Sequence, residues 1–267
     1  MTTALHIAFS QHRGHLVSRQ EDALLVASAL YQVADLAPRV LTVDVTAGLC
    51  ALADGVASAP CPQRASRAVL DLLRAAGREG GADCQDGWIG PRLIRRQVHA
   101  QLCRQLGRNP RTRGAATTLA LLQWRADRWS LVNVGDSRVY RIGREGDWRQ
   151  LSLDHTYRQS MIARGEIAAD QSLGQLFNDL QHMLIADDNE VDFAIHWQRG
   201  TWQPGDTFLL CTDGVHDTLG EVRLQALFQP GRALVDQVAV WRDAVLAAGA
   251  PDNFSLILLR LTAASAG

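Results

Sequence analysis

The chain has 267 residues, with 27 basic and 28 acidic side chains and a formal net charge of −1. This balance gives no electrostatic footprint for nucleic acid or for an anionic membrane surface. The five cysteines form no CxxC pair and no Cys/His zinc spacing, which argues against a disulfide framework or a structural zinc. The amino terminus lacks the pattern of a signal peptide, and no apolar run approaches the roughly 20 residues of a membrane helix. We therefore expect a monomeric, cytoplasmic protein that binds neither nucleic acid nor membrane.

The first half of the chain reads as short strands followed by two helices. Apolar or β-branched runs bounded by polar residues predict strands over residues 6–10, 23–29, 40–45 and 48–53. Apolar side chains then recur at helical spacing, which predicts helices over residues 62–78 and 91–106. Pro91 suits the first turn of the second helix.

Strands return in the second half. The pattern predicts strands over residues 116–123, 129–134, 138–142, 191–196, 207–212 and 254–261, and helices over 156–165 and 233–246. Strands come early and late, with helices between them, so regular βαβ alternation is absent. This order predicts an α+β fold of antiparallel sheets covered by helices.

Aspartates stand at the ends of several apolar runs, next to flexible turns. Asp54 and Asp213 close such runs and are followed by Gly55 and Gly214, and Asp252 precedes another run. Each dipeptide alone is an ordinary turn signal. As a set, they predict carboxylates gathered in one cleft, which is costly unless cations offset the charge. Oxygen ligands favour Mg²⁺ or Mn²⁺ over zinc, and two such ions can activate a water and clamp a phosphoryl group.

Other acidic residues are ambiguous. Glu21 and Asp22 are adjacent on a strand, so only one of the two can face the cleft directly. Asp136 follows Gly135 between two apolar runs, which fits a hairpin turn as well as a turn that brings Asp136 to the cations. Thr117 and Thr118 fit simple strand propensity.

The order of these motifs resembles a known family, the metal-dependent protein serine/threonine phosphatases of type 2C, in their compact bacterial form. The resemblance covers residues 14–261 and depends on the shared order and spacing of the motifs. They are Ser18–Ala23, Ala53–Gly55 through Ala65–Ser66, Gly114–Leu119, Val134–Arg138, Leu153–Thr156, Gly205–Gly214 and Asp252–Asn253.

The resemblance implies a single phosphatase domain over residues 1–267, built as a four-layer α/β/β/α sandwich, with a flap at 156–189. It implies that Asp54 bridges two Mn²⁺ or Mg²⁺ ions, with the Gly55 carbonyl as a further ligand. Asp213 and Asp252 would hold the second ion, Glu21 would act near it through water, and Asp136 with Asp213 would hold a third, weaker ion. Water activated by the metals would attack phosphoserine or phosphothreonine in a protein that a serine/threonine kinase has phosphorylated.

Two positions depart from the family pattern. Val17 stands where the phosphate-binding Arg is usual, so Arg19 or Arg13 would have to supply the guanidinium from nearby. After Asp54–Gly55 the sequence runs Val56–Ala59 in place of a Gly-rich stretch that ends in His. These departures put substrate affinity in question, and metal binding should survive them.

Two other readings remain open. Cys61 and Arg67 satisfy the Cys-x5-Arg signature of cysteine-dependent phosphatases, although Pro62 removes a backbone N–H that such a loop needs. The domain could also be a pseudophosphatase that binds a phosphoprotein or a regulatory partner with little or no turnover, because Val17 removes an anion-binding group. The arginines 104, 108, 111 and 113 read as a solvated face that could attract an acidic substrate loop.

Overall fold

The computed structural model describes residues 4–79, 84–168, 171, 179–187 and 192–262. In this part of the chain the strands are β1 (Ala4–His12), β2 (Ala23–Val26), β3 (Ala29–Tyr31), β4 (Asp35–Asp44), β5 (Ala47–Ala53), β6 (Ala116–Thr117), β7 (Leu119–Arg125), β8 (Arg128–Val134), β9 (Arg138–Ile142), β10 (Trp148–Gln150), β11 (Leu184–Ile185), β12 (His196–Thr201), β13 (Thr207–Cys211) and β14 (Phe254–Thr262). They form two six-stranded sheets and one two-stranded sheet, and every strand pair is antiparallel.

The first large sheet has the strand order β10-β9-β13-β14-β1-β4, and the second has the order β12-β8-β7-β5-β2-β3. The small sheet pairs β11 with β6. Because β5 and β13 are interior strands of different sheets, the aspartates that follow them come from opposite halves of the molecule.

The helices are α1 (Pro62–Glu79), α2 (residues 91–107), α3 (Tyr157–Ala163), α4 (Asp213–Ala226) and α5 (Leu234–Ala247). In α2, α-helical Pro91–Leu93 and Ala100–Leu102 alternate with π-helical Ile94–His99 and Cys103–Gly107. None of the helices in the described ranges is long and apolar enough to cross a membrane.

Side-chain alternation along the strands produces the layers. In β5, Cys50 and Leu52 face the core between the two sheets, whereas Ala51 and Ala53 face the core beneath α1 and α2. In β14, Ile257 joins the central core and its neighbours pack under α4 and α5. Sheets that are apolar on both faces need helices outside them. The predicted α+β four-layer sandwich is therefore confirmed.

Several predicted boundaries need correction. The predicted strand over 23–29 is two strands, because Ala27 has a φ of 55° and turns the chain between β2 and β3. The predicted strand over 191–196 is wrong over 192–195: the strand is β12, His196–Thr201, which pairs with β8; residue 191 lies outside the described residues. The flap predicted over 156–189 includes α3 and β11, and its residues 169–170, 172–178 and 188–189 also lie outside the described ones.

Candidate metal centre

Asp54 is held at the end of β5 by two threonines. Its N–H donates to Thr118 Oγ1 at 3.0 Å, and its carbonyl accepts from the Thr118 N–H at 2.8 Å and from Thr117 Oγ1 at 2.7 Å. These bonds fix the Asp54 backbone and do not involve its carboxylate. Thr117 and Thr118 therefore do more than favour a strand, and the sequence interpretation missed this positioning role.

Asp213 begins α4 directly after β13, where a carboxylate complements the helix dipole. Gly214 packs against the turn that carries Asp252: an added Cβ would lie 1.9 Å from the Asn253 carbonyl oxygen. Only glycine fits this approach without displacing the backbone. The first turn of α4 and the start of β14 are thus locked together, which places Asp213 beside Asp252.

Asp22 is the buried member of the Glu21–Asp22 pair. Its Oδ2 accepts hydrogen bonds from Ser255 Oγ at 2.7 Å and from Thr212 Oγ1 at 3.1 Å, and its Oδ1 is buried without a hydrogen-bond partner. Asp22 comes from one sheet and its two hydroxyl partners from the other. The sequence placed Glu21 near the metals and left Asp22 unassigned.

The carboxyl groups of Asp22, Asp54 and Asp213 influence one another's ionisation. Burial raises the pKa of Asp54 well above its usual range, and the nearby charges of Asp213 and Asp22 raise it further. The Asp54 and Asp213 carboxyl groups are close enough to share a hydrogen bond. Burial, opposed by the Ser255 hydrogen bond and reinforced by Asp213, raises the pKa of Asp22 to about 7. The residues of this cluster therefore oppose one another's ionisation.

Asp136 joins the cluster from the turn between β8 and β9. Burial and then the charge of Asp213 raise its pKa well above the ordinary value. His216 Nε2 donates to the Asp136 carbonyl at 3.2 Å, and His216 Nδ1 lies 2.9 Å from Asp217 Oδ1. Asp154 also faces Asp136 but is paired with Arg138 at 2.7 Å. His216 thus links α4 to the Asp136 turn.

Glu21 and Asp252 form the more exposed side of the cluster. Burial and then the charge of Asp252 raise the pKa of Glu21. Burial and then the charge of Asp213 raise the pKa of Asp252. Asn253 ties the two segments together: its Oδ1 accepts from the Glu21 N–H at 2.6 Å, and its Nδ2 donates to the carbonyls of Arg13 and Arg19.

The two arginines proposed as phosphate ligands differ in position. Arg19 is exposed, and its charge acts on Glu21. Arg13 Nη1 donates to the Ser18 carbonyl at 3.4 Å, while its Nε is buried without a partner. Neither lines the acidic cleft described next. The phosphate-binding role of both remains a prediction.

A cleft of about 390 Å³ opens over the cluster. It is lined by Asp136, Asp179, Asp213, Gly214, Asp217, Thr218, Pro251 and Asp252. A smaller polar pocket, which shares Asp136 and Asp217, adjoins it. The volume suits a small polar group such as a phosphorylated side chain.

The donor set fits hard divalent cations. It consists of carboxylate oxygens, next to which Asp22 Oδ1 is buried without a partner, and burial, followed by the charges of neighbouring carboxylates, raises the pKa values of Asp22, Asp54 and Asp136. Across the described ranges, no three His, Cys, Asp or Glu side chains form a ready-made coordination site. The assignment rests instead on the mutual repulsion of the Asp22, Asp54 and Asp213 carboxyl groups, which bound cations would relieve.

The structure therefore brings Asp54, Asp213, Asp252, Asp136 and Glu21 into one neighbourhood, with Gly55 beside Asp54. An added Cβ on Gly55 would lie 2.9 Å from the Glu21 carbonyl oxygen. The sequence interpretation missed Asp217, although its place four residues after Asp213 on a helix puts both on one face.

The Cys-x5-Arg reading finds no support in the geometry. Cys61 Sγ donates to the Arg111 carbonyl at 3.5 Å, and α1 begins at the next residue, Pro62. Arg67 lies on the outer face of α1, where its Nε is 3.9 Å from Asp71 Oδ2. No phosphate-binding loop connects the thiol and the guanidinium.

One known protein family matches this chain. A model of protein phosphatase 2C matches residues 39–247, most of the chain. The chain belongs to the protein phosphatase 2C family. The resemblance seen in the sequence motifs is confirmed.

Individual relatives are distant. Serine/threonine protein phosphatase PstP of Mycobacterium tuberculosis is 27% identical over 219 residues, which cover 79% of this chain and 40% of PstP. The chain thus spans less than half of that relative. Serine/threonine phosphatase stp of Listeria welshimeri is 22% identical over 262 residues, which cover 96% of this chain and 95% of stp.

A solved structure supports the fold. The catalytic domain of PstP, in complex with two manganese ions, superposes with a TM-score of 0.72 at 23% identity and covers 98% of this chain and all of that one. The 2C family fold is thus present over nearly the whole chain.

Proposed function

We propose that this chain is a metal-dependent protein phosphatase that hydrolyses phosphoserine and phosphothreonine at a centre of two Mn²⁺ or Mg²⁺ ions. The observation that carries the proposal is the electrostatic coupling of the buried Asp22, Asp54 and Asp213 carboxyl groups next to a cleft that Asp136, Asp213 and Asp252 line. Family membership and relatives named as serine/threonine phosphatases support it. A phosphoprotein that a serine/threonine kinase has modified would be the substrate.

Each residue has a distinct role in this proposal. Asp54 and Asp213 would hold the ions from opposite sheets, and Asp252 with Glu21 would complete the outer side. Asp136 with Asp213 would hold a third, weaker ion. When bound, the cations would lower the pKa of a shared water and neutralise the phosphoryl oxygens.

The remaining residues orient this centre. Thr118 fixes the Asp54 backbone through a hydrogen bond. Asp22 accepts a hydrogen bond from Ser255 and interacts with the carboxyl groups of Asp54 and Asp213. His216 bonds to the Asp136 carbonyl, so it would position this proposed ligand. Arg19 and Arg13 remain the candidates for binding the phosphate, because Val17 occupies the position of the family's phosphate-binding Arg.

The test is hydrolysis of a phosphothreonine peptide as a function of Mn²⁺ concentration. Wild type should turn over only with metal. Asp54→Ala and Asp213→Asn should each lose activity by about 10³-fold or more while they stay folded, since the loss of a ligand removes the electrostatic stabilisation of the transition state. Asp243→Asn, an exposed aspartate on α5, is the matched control and should retain wild-type activity.

The outcomes separate the two candidate functions. A loss of only a few-fold in Asp54→Ala would mean that the active site lies elsewhere. Absence of turnover in folded, Mn²⁺-loaded wild type would instead favour the phosphoprotein-binding module that Val17 suggests.

A further inference from the structure

An unpaired basic surface borders the segments that form the metal centre. Arg64 on α1 and Arg108, Arg111 and Arg113 after α2 are exposed. We call these four residues the basic rim. Across the described ranges, none of the four forms an ion pair or a side-chain hydrogen bond. Four guanidinium groups are therefore available to an anionic partner.

The segment that carries three of these arginines is well fixed. Thr112 is buried, and its Oγ1 donates to the Leu106 carbonyl at 2.7 Å. The Arg111 N–H donates to Asn109 Oδ1 at 3.0 Å, which closes a turn. A rigid backbone presents charged side chains at a lower entropic cost than a loose loop.

The basic rim lies beside the chain that leaves Asp54. The Arg111 carbonyl contacts Cys61 Sγ, and Val56 N–H donates to the Ala116 carbonyl at 3.0 Å. An added Cβ on Gly55 would lie 2.7 Å from the Pro62 carbonyl carbon, two residues before Arg64. The rim and the Asp54–Gly55 turn are thus parts of one packed unit.

Gly114, which directly follows Arg113, contacts the segment that precedes and includes β11. The Gly114 N–H donates to the Ala186 carbonyl at 2.8 Å, and β11 pairs with β6 immediately beside it. Asp179, upstream of β11, lines the acidic cleft. The backbone that carries the arginines therefore packs against the segment that leads from Asp179 to β11.

We propose that the basic rim binds acidic side chains next to the phosphorylated residue, so that the preferred substrate is an acidic phosphopeptide. This inference rests on the proposed function. The phosphorylated side chain would occupy the acidic cleft, where cations bind it, and its acidic neighbours would meet the guanidinium groups of the rim. Guanidinium groups suit carboxylates because they bind them with two parallel hydrogen bonds.

The test compares two phosphothreonine peptides of equal length, one with Asp and Glu flanks and one with Asn and Gln flanks. The triple variant Arg108→Gln/Arg111→Gln/Arg113→Gln removes most of the rim. Arg39→Gln/Arg149→Gln/Arg223→Gln makes the same change in net charge at exposed arginines elsewhere. Hydrolysis of p-nitrophenyl phosphate, which has no flanking carboxylates, is the internal reference for each protein.

Wild type should prefer the acidic peptide by about tenfold in kcat/KM, mostly through KM, as three exposed charge pairs can supply. The rim variant should lose most of this preference, and the control variant should keep it. Raising the salt concentration should erase the preference in wild type. Equal kcat/KM for both peptides in wild type, or an equal loss of preference in both triple variants, would overturn the inference.

Binding separates this inference from the proposed function. Fluorescence anisotropy of the labelled acidic peptide, measured in an Asp54→Ala background, needs no turnover. Suppose that wild type hydrolyses no substrate, yet the rim variant binds the acidic peptide about tenfold more weakly than the protein with an intact rim. The proposed function would then be wrong, and the proposal that the rim binds acidic side chains would be supported. Equal affinity for the acidic peptide in the Asp54→Ala proteins with and without the rim substitutions would contradict the inference.

Discussion

Thr118 holds Asp54 from both sides: its hydroxyl accepts the Asp54 N–H at 3.0 Å and its own N–H donates to the Asp54 carbonyl at 2.8 Å. The same hydroxyl lies 2.8 Å from Ser137 Oγ, in the turn that carries Asp136. One side chain therefore sets the separation between two candidate metal ligands.

Replacing Thr118 by Val should weaken metal binding while it preserves the shape of the side chain. The Asp54 N–H and Ser137 Oγ would lose their shared partner, so the Mn²⁺ concentration for half-maximal activity should rise about tenfold or more. Thr118→Ser keeps the hydroxyl and should restore most of the affinity. Similar Mn²⁺ dependence in Thr118→Val and wild type would show that this contact does not position Asp54.

Asp22 should make the metal-free protein less stable as the pH rises. Its folded-state pKa of about 7 exceeds the ordinary value of 3.8, so its contribution is fully present below pH 3.8 and is lost as the pH rises through 7. In Asp22→Asn the amide removes this loss. Urea unfolding of metal-free protein should show the variant gaining stability over wild type between pH 5 and pH 8.

The same Asp22→Asn variant should bind metal more weakly, because a negative charge next to the proposed ligand Asp54 has been removed. Mn²⁺ should therefore raise its Tm by less than it raises that of wild type. A variant with wild-type pH dependence and an unchanged Mn²⁺ effect would separate Asp22 from the centre.

His155 predicts the opposite pH dependence. Burial, reinforced by His182, lowers its pKa to about 4 from 6.5, while its Nδ1 accepts the Gly135 N–H at 3.0 Å. Its contribution to stability is present above pH 6.5 and is lost as the pH falls toward 4. The loss amounts to about 2 kcal/mol at pH 5. His155→Asn keeps an acceptor without this proton, so its unfolding free energy should fall less between pH 7 and pH 5. Parallel curves for the two proteins would contradict this.

Asn253→Ala should release the segment that carries Glu21. Three hydrogen bonds are lost, to the Glu21 N–H and to the carbonyls of Arg13 and Arg19, at about 1 kcal/mol each, so the protein should lose about 2–3 kcal/mol of stability. Hydrogen exchange should accelerate at Glu21. Asn253→Asp keeps the acceptor for that N–H and should retain its protection, whereas equal exchange in wild type and Asn253→Ala would refute the link.

The sequence was sufficient for the layers and for the aspartates at the strand ends. The near-continuous apolar runs of β5 and β14 require partners on both faces, and Asp54 and Asp213 stand just after the ends of their strands. These are local patterns, so they can be read without knowing which strands pair.

The choice between Glu21 and Asp22 could not be made from the sequence. It depends on the pairing of Ala23 with Ala53 and on hydroxyl groups of Thr212 and Ser255, which lie about two hundred residues further along the chain. The role of Thr118 was hidden for the same reason, because a strand threonine near a turn has no local mark of the backbone it will bind.

The most direct test of the account is the anomalous scattering of manganese in crystals of the protein grown with Mn²⁺. We predict two strong peaks bounded by the carboxylates of Asp54, Asp213 and Asp252, both lost in Asp213→Asn. Well-ordered carboxylates without manganese between them, or manganese bound at another place on the molecule, would contradict it.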